Sequence, residues 1–333
     1  MKNKRPIVSI ITPSYNQGQF LEETIRSVLM QDYPEVEYII IDGGSKDNTH
    51  LVVEKYKSKL AWYVSESDLG QADAINKGFA KASGEYVAWI NSDDIYAEHA
   101  ISNAVKQLIK YPNCGMVFSN VLSIDSDTKI FNTMVYGDWG LKELMQFNII
   151  GQPGVFMRKT ALQEVNYLDP NFHYLMDHHL WLRIASRYPI KYVDDFWAAA
   201  RFHPYAKNVA HPTGFGEEAF DIYDWIENQP DLQDTFYKNR RIIRAGAYQI
   251  KARYLLDNHE NWKAFTKYME SVFLNPEILI QEKNRIVYSL INSVFHIEKL
   301  KEKYLINKSK KILRQDLNYL INYLKISKGK KIS

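Results

Sequence analysis

The stretch "YVAWINSDDI", Tyr86 to Ile95, runs five apolar or aromatic residues into two adjacent carboxylates. Its first half reads as a buried strand, and strand side chains alternate between faces, so Asp93 and Asp94 need not compete for one proton. Neighbouring like charges at the end of a buried strand are costly unless something positive lies beside them. One carboxylate facing a ligand crevice, with the other anchoring the next turn, satisfies the pattern. A plain cap for the following helix is the alternative reading of either residue.

The flanking sequence says what kind of sheet this strand belongs to. Ile7–Thr12 is apolar and β-branched, and Gln19–Met30 carries Phe20, Leu21, Ile25, Val28 and Leu29 at helical spacing. Strands are predicted at Val36–Ile41, Leu60–Ser65, Tyr86–Ile90 and Gly115–Val121, with helices at Asp47–Lys57, Gln71–Ala82 and Glu98–Tyr111. This order implies an α/β fold with a mostly parallel sheet and helices on both faces. Residues 125–201 are less regular: a hairpin around Ile130–Tyr136, a helix at Leu141–Phe147, and a strand near Gly154–Arg158. A helix at Met176–Tyr188 and strands near Ile190–Val193 and Phe196–His203 complete this part. Beyond it the signals are helical, at Glu217–Asn228, Thr235–Asp257 and Asn261–Leu274, with Pro212, Pro230 and Pro276 as breaks. The expected domains are therefore 1–210, in halves 1–121 and 122–210, and a helical region 211–333 with a basic tail.

Composition narrows the class. Of 333 residues, 46% are hydrophobic and 24% charged, as in a soluble globular protein. The single cysteine, Cys114, rules out an internal disulfide and a cysteine-rich metal site, and fits a cytoplasmic location. No stretch approaches the ~18 apolar residues of a membrane span. From Lys299 onward eleven basic residues face two acidic ones, a charge of +9, so the remainder carries −6 within the total of +3. A mildly acidic body gives little support to nucleic-acid binding.

In open α/β sheets ligands collect beyond the carboxyl ends of the strands. Four polar segments fall there: "TPSYNQ" (Thr12–Gln17), "DGGSKDNT" (Asp42–Thr49), "SESDLGQADAINKG" (Ser65–Gly78) and "NSDD" (Asn91–Asp94). In "DGGS" the glycines allow close backbone approach, and Asp42 is suited to accept hydrogen bonds from a base or ribose. A tight turn capped by Ser45 or Asp47 accounts for the rest of that segment. The G-x-G-x-x-G dinucleotide fingerprint is absent after the first strand.

Together "VSIITPSYNQGQFLEETIRSVLMQDYP", "IDGGSKDNT", "DLGQADAINKG" and "GEYVAWINSDD" resemble the nucleotide-sugar half of family 2 glycosyltransferases, specifically the bacterial polysaccharide branch. The resemblance covers roughly residues 6–207 and implies the GT-A fold, a UDP-sugar donor, and a saccharide or glycolipid acceptor. It implies that Pro13, Ser14 and Tyr15 hold the nucleoside, with Asp42 accepting from the base. Asp68, Asp73 and Asn76 become candidate nucleotide contacts. Ile75 stands where many relatives carry arginine, which leaves phosphate charge to a metal, to Lys77 or to later residues. "NSDD" matches the D-x-D metal motif. Asn91 replaces its first aspartate and offers a neutral oxygen beside Ser92, while Asp93 would bind Mn²⁺ or Mg²⁺ bridging the diphosphate.

Downstream, "LMDHHLWLRIA" (Leu175–Ala185) resembles the family's E-D-x-x-L-W-x-R segment, with Met176 in place of the glutamate. Asp177 is implied as the general base for in-line, inverting attack; a simple N-cap is the structural alternative. His178 and His179 are expected to be structural or acceptor-side rather than metal ligands, His178 being the acceptor-side candidate, and Gln152 matches an acceptor-side loop. In "RFHPYAKN" (Arg201–Asn208), His203 is implied in the metal or diphosphate shell and Lys207 on the diphosphate. The tail places Ile312, Leu313, Leu317, Leu320, Ile321 and Leu324 on one helical face among basic residues. That suits a docked helix, a peripheral membrane contact or a partner-binding helix. Two rival functions remain at this level. A nucleotidyltransferase is disfavoured because "TPSYNQGQF" holds no Lys or Arg, and a degenerate, non-catalytic binder is kept open by Asn91 and Met176.

Overall fold

A computed structural model describes residues 5–295. The elements in chain order are β1 (Val8–Ser14), α1 (Gly18–Leu29), β2 (Val36–Asp42), α2 (Thr49–Glu54), β3 (Trp62–Ser65), α3 (Gln71–Lys81) and β4 (Tyr86–Trp89). There follow β5 (Ile95–Tyr96), α4 (Ala100–Lys110), β6 (Met116–Ile124), β7 (Ile130–Met134), α5 (Leu141–Met145), β8 (Val155–Arg158), α6 (Lys159–Glu164), α7 (Met176–Ala185) and β9 (Ile190–Arg201). The remaining helices are α8 (Lys207–Ala210), α9 (Pro212–Glu227), α10 (Gln233–Asp257), α11 (Asn261–Leu274), α12 (Glu277–Gln281) and α13 (Lys283–Phe295). The described residues form two compact units, 5–138 with 150–202, and 139–149 with 203–295.

The first unit is built on one mixed sheet of order β3-β2-β1-β4-β8-β6-β9-β5, with β7 paired to β6. All seven residues of β1 are buried, as in a strand covered on both faces. Val8, Ile10, Ala88 and Ile90 pack with α1, α2 and α4 on one face. Ile11 and Trp89, one residue out of phase, meet α3 and α7 on the other. A Cβ on Gly78 would lie 2.5 Å from Ile11, so α3 sits on β1 at a distance only glycine permits there. Trp89 stacks on Trp181 of α7 at 5.3 Å and meets the edge of Phe79 at 5.9 Å.

The expected α/β class stands, with the parallel part confined to β3-β2-β1-β4 and the pair β6–β9. β8 enters antiparallel between β4 and β6. The β6–β7 hairpin closes over the short link 125–129, which only antiparallel strands can use. The two strands expected at 190–203 are one, β9, with a register shift opposite Ser119 to Val121.

In the second unit α10 packs against α9 and α11, and α11 against α13. A Cβ on Gly246 of α10 would lie 2.2 Å from the Gln146 carbonyl, so the 139–149 segment lies backbone to backbone with this helix. That contact explains why the segment groups with the helices although it interrupts the sheet in sequence. The division falls after Phe202 rather than residue 210, because α8 packs against α9. Pro212 marks the expected break, starting α9 at its first turn just after α8 ends at Ala210. Glu282, 4% exposed, binds Arg253 at 2.5 Å, Arg285 at 2.7 Å and Gln249 at 3.1 Å. No described helix is long and apolar enough to cross a membrane. The expected amphipathic tail, Ile312 to Leu324, lies outside the described residues.

Candidate active site

The carboxyl ends of β1, β2, β3 and β4 are joined by side-chain hydrogen bonds. Ser45 Oγ receives the Asn16 N–H (2.7 Å), and Asn16 Oδ1 receives the Lys46 N–H (2.9 Å), linking the first two loops. Asp42 links the second to the third: its carboxylate receives Ser45 N–H, Ser45 O–H and, from β3, Ser65 O–H at 2.6 Å. Asp42 is 1% exposed, so its main work in this state is to hold the turn around Gly44, whose φ is +79°. A Cβ on Gly43 would lie 2.6 Å from Asp68 Oδ2 and 3.3 Å from the Tyr15 ring. Tyr15, Gly43 and Asp68 thus share one spot on this edge, with Tyr15 63% exposed. Pro13 and Ser14 end β1 as buried residues, and Ser14 Oγ has no hydrogen-bond partner among the described residues.

The fourth loop is a tight turn, with the Asp94 N–H on the Asn91 carbonyl at 3.1 Å. Turn geometry rather than strand alternation therefore separates the two carboxylates, and the short β5 follows, so neither caps a helix. Asp94 is buried. Its carboxylate accepts the Arg201 backbone N–H (2.9 Å) and Asn91 Nδ2–H (3.1 Å), and its carbonyl accepts Thr24 O–H (2.7 Å). Burial, then the neighbouring Asp93, pushes the Asp94 carboxyl well above the usual carboxylate range. Ser92 is buried and Asp93 half-buried. The positive group beside this pair is Arg201, whose Nε–H donates to the Asp93 carbonyl at 2.8 Å.

Asn91 does not sit as a spare neutral ligand. Its Oδ1 accepts Gln71 Nε2–H at 2.8 Å while its Nδ2 donates to Asp94, so it bridges α3 to the buried carboxyl. Asn76, expected among the nucleotide contacts, is a tether: both ends of its amide bind the Leu168 backbone, at 2.9 and 3.1 Å. Asp73 receives the Leu69 N–H (3.0 Å) and pairs with Lys77 (3.3 Å), which also reaches Glu66 (3.1 Å). Asp68 receives the Gly70 N–H at 2.9 Å.

Topology brings Asp177 to the same edge. β9 runs parallel to β6, which like β4 is antiparallel to β8, so β9 starts at the amino edge of the sheet. α7 leads directly into β9, and its own N-terminus, with Asp177, therefore lies at the carboxyl edge. Asp177 stands at the second helical position; Leu175 is the N-cap and makes no side-chain cap bond. The Asp177 carboxylate receives the His178 N–H at 2.7 Å. Tyr136, half-buried, accepts the Gly151 N–H; desolvation raises its phenol pKa and the Asp177 charge adds to the shift.

His178, expected on the acceptor side, is fully buried, out of reach of a saccharide. His179 is buried against Phe172 at 4.0 Å; burial, Arg183 and His178 hold it down at about 2, so it is neutral. Gln152, 7% exposed, donates to the Trp89 carbonyl at 2.7 Å and fastens its loop to the end of β4. His203 and Lys207 belong to the second unit, where His203 Nδ1 accepts the Tyr205 N–H at 3.3 Å.

Among the described residues no three of His, Cys, Asp and Glu gather as a metal cluster. Asp93, half-buried in this turn, is the carboxylate that would hold an ion on this edge, with water and phosphate oxygens as its other ligands. Mg²⁺ is commonly held that way in nucleotide enzymes.

Comparison with known proteins settles the family. Residues 9–172 match the model for "Glycosyl transferase family 2". This part of the chain belongs to glycosyl transferase family 2. The putative teichuronic acid biosynthesis glycosyltransferase TuaG of Bacillus subtilis is 28% identical over 192 residues, 56% of this chain and 75% of TuaG. An Escherichia coli enzyme, UDP-Glc:alpha-D-GlcNAc-diphosphoundecaprenol beta-1,3-glucosyltransferase WfgD, is 29% identical over 54% of this chain and 70% of its own. The uncharacterized glycosyltransferase RT0329 of Rickettsia typhi is 28% identical, and the match spans only 61% of its length. The fold resembles S. aureus TarS 1–349, solved with UDP-GlcNAc (19% identity, TM-score 0.58, 85% of this chain and 79% of that one). It also resembles the Pyrobaculum calidifontis mannosyltransferase PcManGT, solved with GDP-Man and Mn²⁺ (18% identity, TM-score 0.60, 94% and 89%). The first unit accordingly has the GT-A fold.

Proposed function

We propose that this chain transfers a hexose-type sugar from a UDP-sugar, with inversion, to a saccharide or lipid-linked acceptor in cell-surface polysaccharide synthesis. The observation that carries the reading is the hydrogen-bonded carboxyl edge, where Tyr15, Asp68 and Asp93 meet the topological position of Asp177. Tyr15 and Asp68 flank the nucleoside, and Ser14 offers it a buried hydroxyl. Asp93 faces the diphosphate, where a bound Mn²⁺ or Mg²⁺ would neutralise charge on the departing UDP. Asp177 removes the proton from the acceptor hydroxyl, whose oxygen attacks the anomeric carbon as the bond to UDP breaks. One displacement converts an α-linked donor to a β-glycoside. The names of TuaG and WfgD support the pathway class and the lipid-linked option. The work is placed on the cytoplasmic side, with the basic tail as a peripheral contact to an anionic membrane.

A panel of sugar nucleotides, each added with Mn²⁺ to the full chain, tests the donor class by thermal stabilisation. A rise in Tm with one UDP-sugar is expected; stabilisation by none of them refutes the donor assignment.

A further inference from the structure

Arg201 is the residue at the carboxyl edge to which the sequence assigned nothing. It ends β9, and its side chain has no exposed surface. Its bonds converge on the donor turn from two directions. The backbone N–H donates to Asp94 Oδ1 at 2.9 Å, and Nε–H donates to the Asp93 carbonyl at 2.8 Å. The far end of the guanidinium is held in turn. One amino group pairs with Glu23 Oε2 at 2.8 Å, and the other donates to Thr128 Oγ1 at 2.9 Å and the Asp125 carbonyl at 3.1 Å. Thr128 O–H closes the loop on Glu23 at 2.9 Å, and the guanidinium lies 4.8 Å from the Phe20 ring centroid.

Burying a guanidinium is a poor way to gain stability, because its desolvation offsets most of its attraction to the part-exposed Glu23. An apolar residue fills such a space at lower cost. What the planar fork supplies is direction: with its amino groups held by Glu23, Thr128 and the Asp125 carbonyl, its Nε–H is a fixed donor to the Asp93 carbonyl, beside the backbone bond to Asp94. We infer that Arg201 is the positioning residue of Asp93, aiming its carboxylate at the donor diphosphate, and that Glu23 and Thr128 keep the fork in plane. The inference rests on the reading of Asp93 as the diphosphate-side carboxylate.

The test is calorimetric titration of UDP into the full chain, with Mn²⁺ and again with EDTA, in Arg201→Lys, Glu23→Gln and Asp93→Ala. Lysine keeps the charge and loses the fork; glutamine keeps the shape of the glutamate and loses its charge. Arg201→Lys should weaken UDP binding about tenfold in Mn²⁺ and leave binding in EDTA within about twofold, with Glu23→Gln intermediate. Equal weakening in both buffers, or a fall in Tm with no change in UDP affinity, overturns the positioning role and leaves a structural one. If Asp93→Ala loses the Mn²⁺ advantage while the other two retain it, only the positioning inference fails. If Asp93→Ala also retains it, the donor-side reading fails and takes this inference with it.

Discussion

Asn91→Asp would give "NSDD" the first aspartate of the D-x-D motif it resembles, and the structure predicts that it harms the protein. The Asn91 amide donates to Asp94 Oδ2 at 3.1 Å and accepts from Gln71. An aspartate there turns the donor into a second acceptor and sets a new carboxylate against one already buried. Two unit charges 3.1 Å apart repel by about 5 kcal/mol at an effective dielectric of 20. Sharing a proton relieves most of that, as in carboxylate dyads, leaving a net loss of about 2 kcal/mol at neutral pH. The shared proton gives a sign to the pH dependence. A carboxyl whose folded pKa lies above its unfolded value binds its proton more tightly when folded. It therefore favours the fold at low pH and loses that advantage as pH rises through the folded pKa. Asp94 already has this direction, and the substitution should deepen it. Urea unfolding of both proteins at pH 5 and pH 7.5 measures the effect: the variant should be nearer to wild type at pH 5. Equal stability at pH 7.5, or a variant that Mn²⁺ rescues to above wild type, refutes the reasoning and makes Asn91 a metal-facing residue.

The other predictions concern tethers and charges nearby. Asn76→Ala removes both bonds to the Leu168 backbone and should cost about 2 kcal/mol by denaturant unfolding, with UDP affinity unchanged. Glu282→Ala leaves Arg253 and Arg285 facing each other without the carboxylate, and should cost about 3 kcal/mol. Burial alone would raise the Glu282 carboxyl, but the two arginines outweigh it and depress its pKa. Its contribution should then hold at neutral pH and be lost as pH falls through the folded value, measured as a falling Tm that Glu282→Ala lacks. His179, held at about 2, should show no imidazole titration by NMR between pH 5 and 8.

The parallel half of the sheet was legible because β1, β2 and β4 are short apolar runs between helical repeats, each ending in a polar loop. The antiparallel half was only partly so. β5 has two residues and exists only through its pairing of Ile95 with Ala199, about a hundred positions away. The roles of site residues divide along the same line. Asp93, Asp68 and Asp177 belong to local motifs, and the structure places them on one edge. Arg201 and Asn76 are defined by partners 108 and 92 residues distant, at Asp93 and Leu168, which no local pattern reveals. The resemblance of its segment made Asn76 a candidate ligand contact, and Arg201 looked only like the end of a strand. For His178 two roles were open, structural or acceptor-side, and only the packing of α7, which leaves it fully buried, separates them.

Asp177→Asn tests the central claim most directly, using the sugar nucleotide that most stabilises the protein. UDP affinity with Mn²⁺ and acceptor-dependent UDP release are measured on the same preparation. The account predicts unchanged UDP affinity and a loss of turnover of about 10²- to 10⁴-fold, the usual contribution of a general base. Near-normal turnover, or a parallel loss of UDP binding, would contradict it.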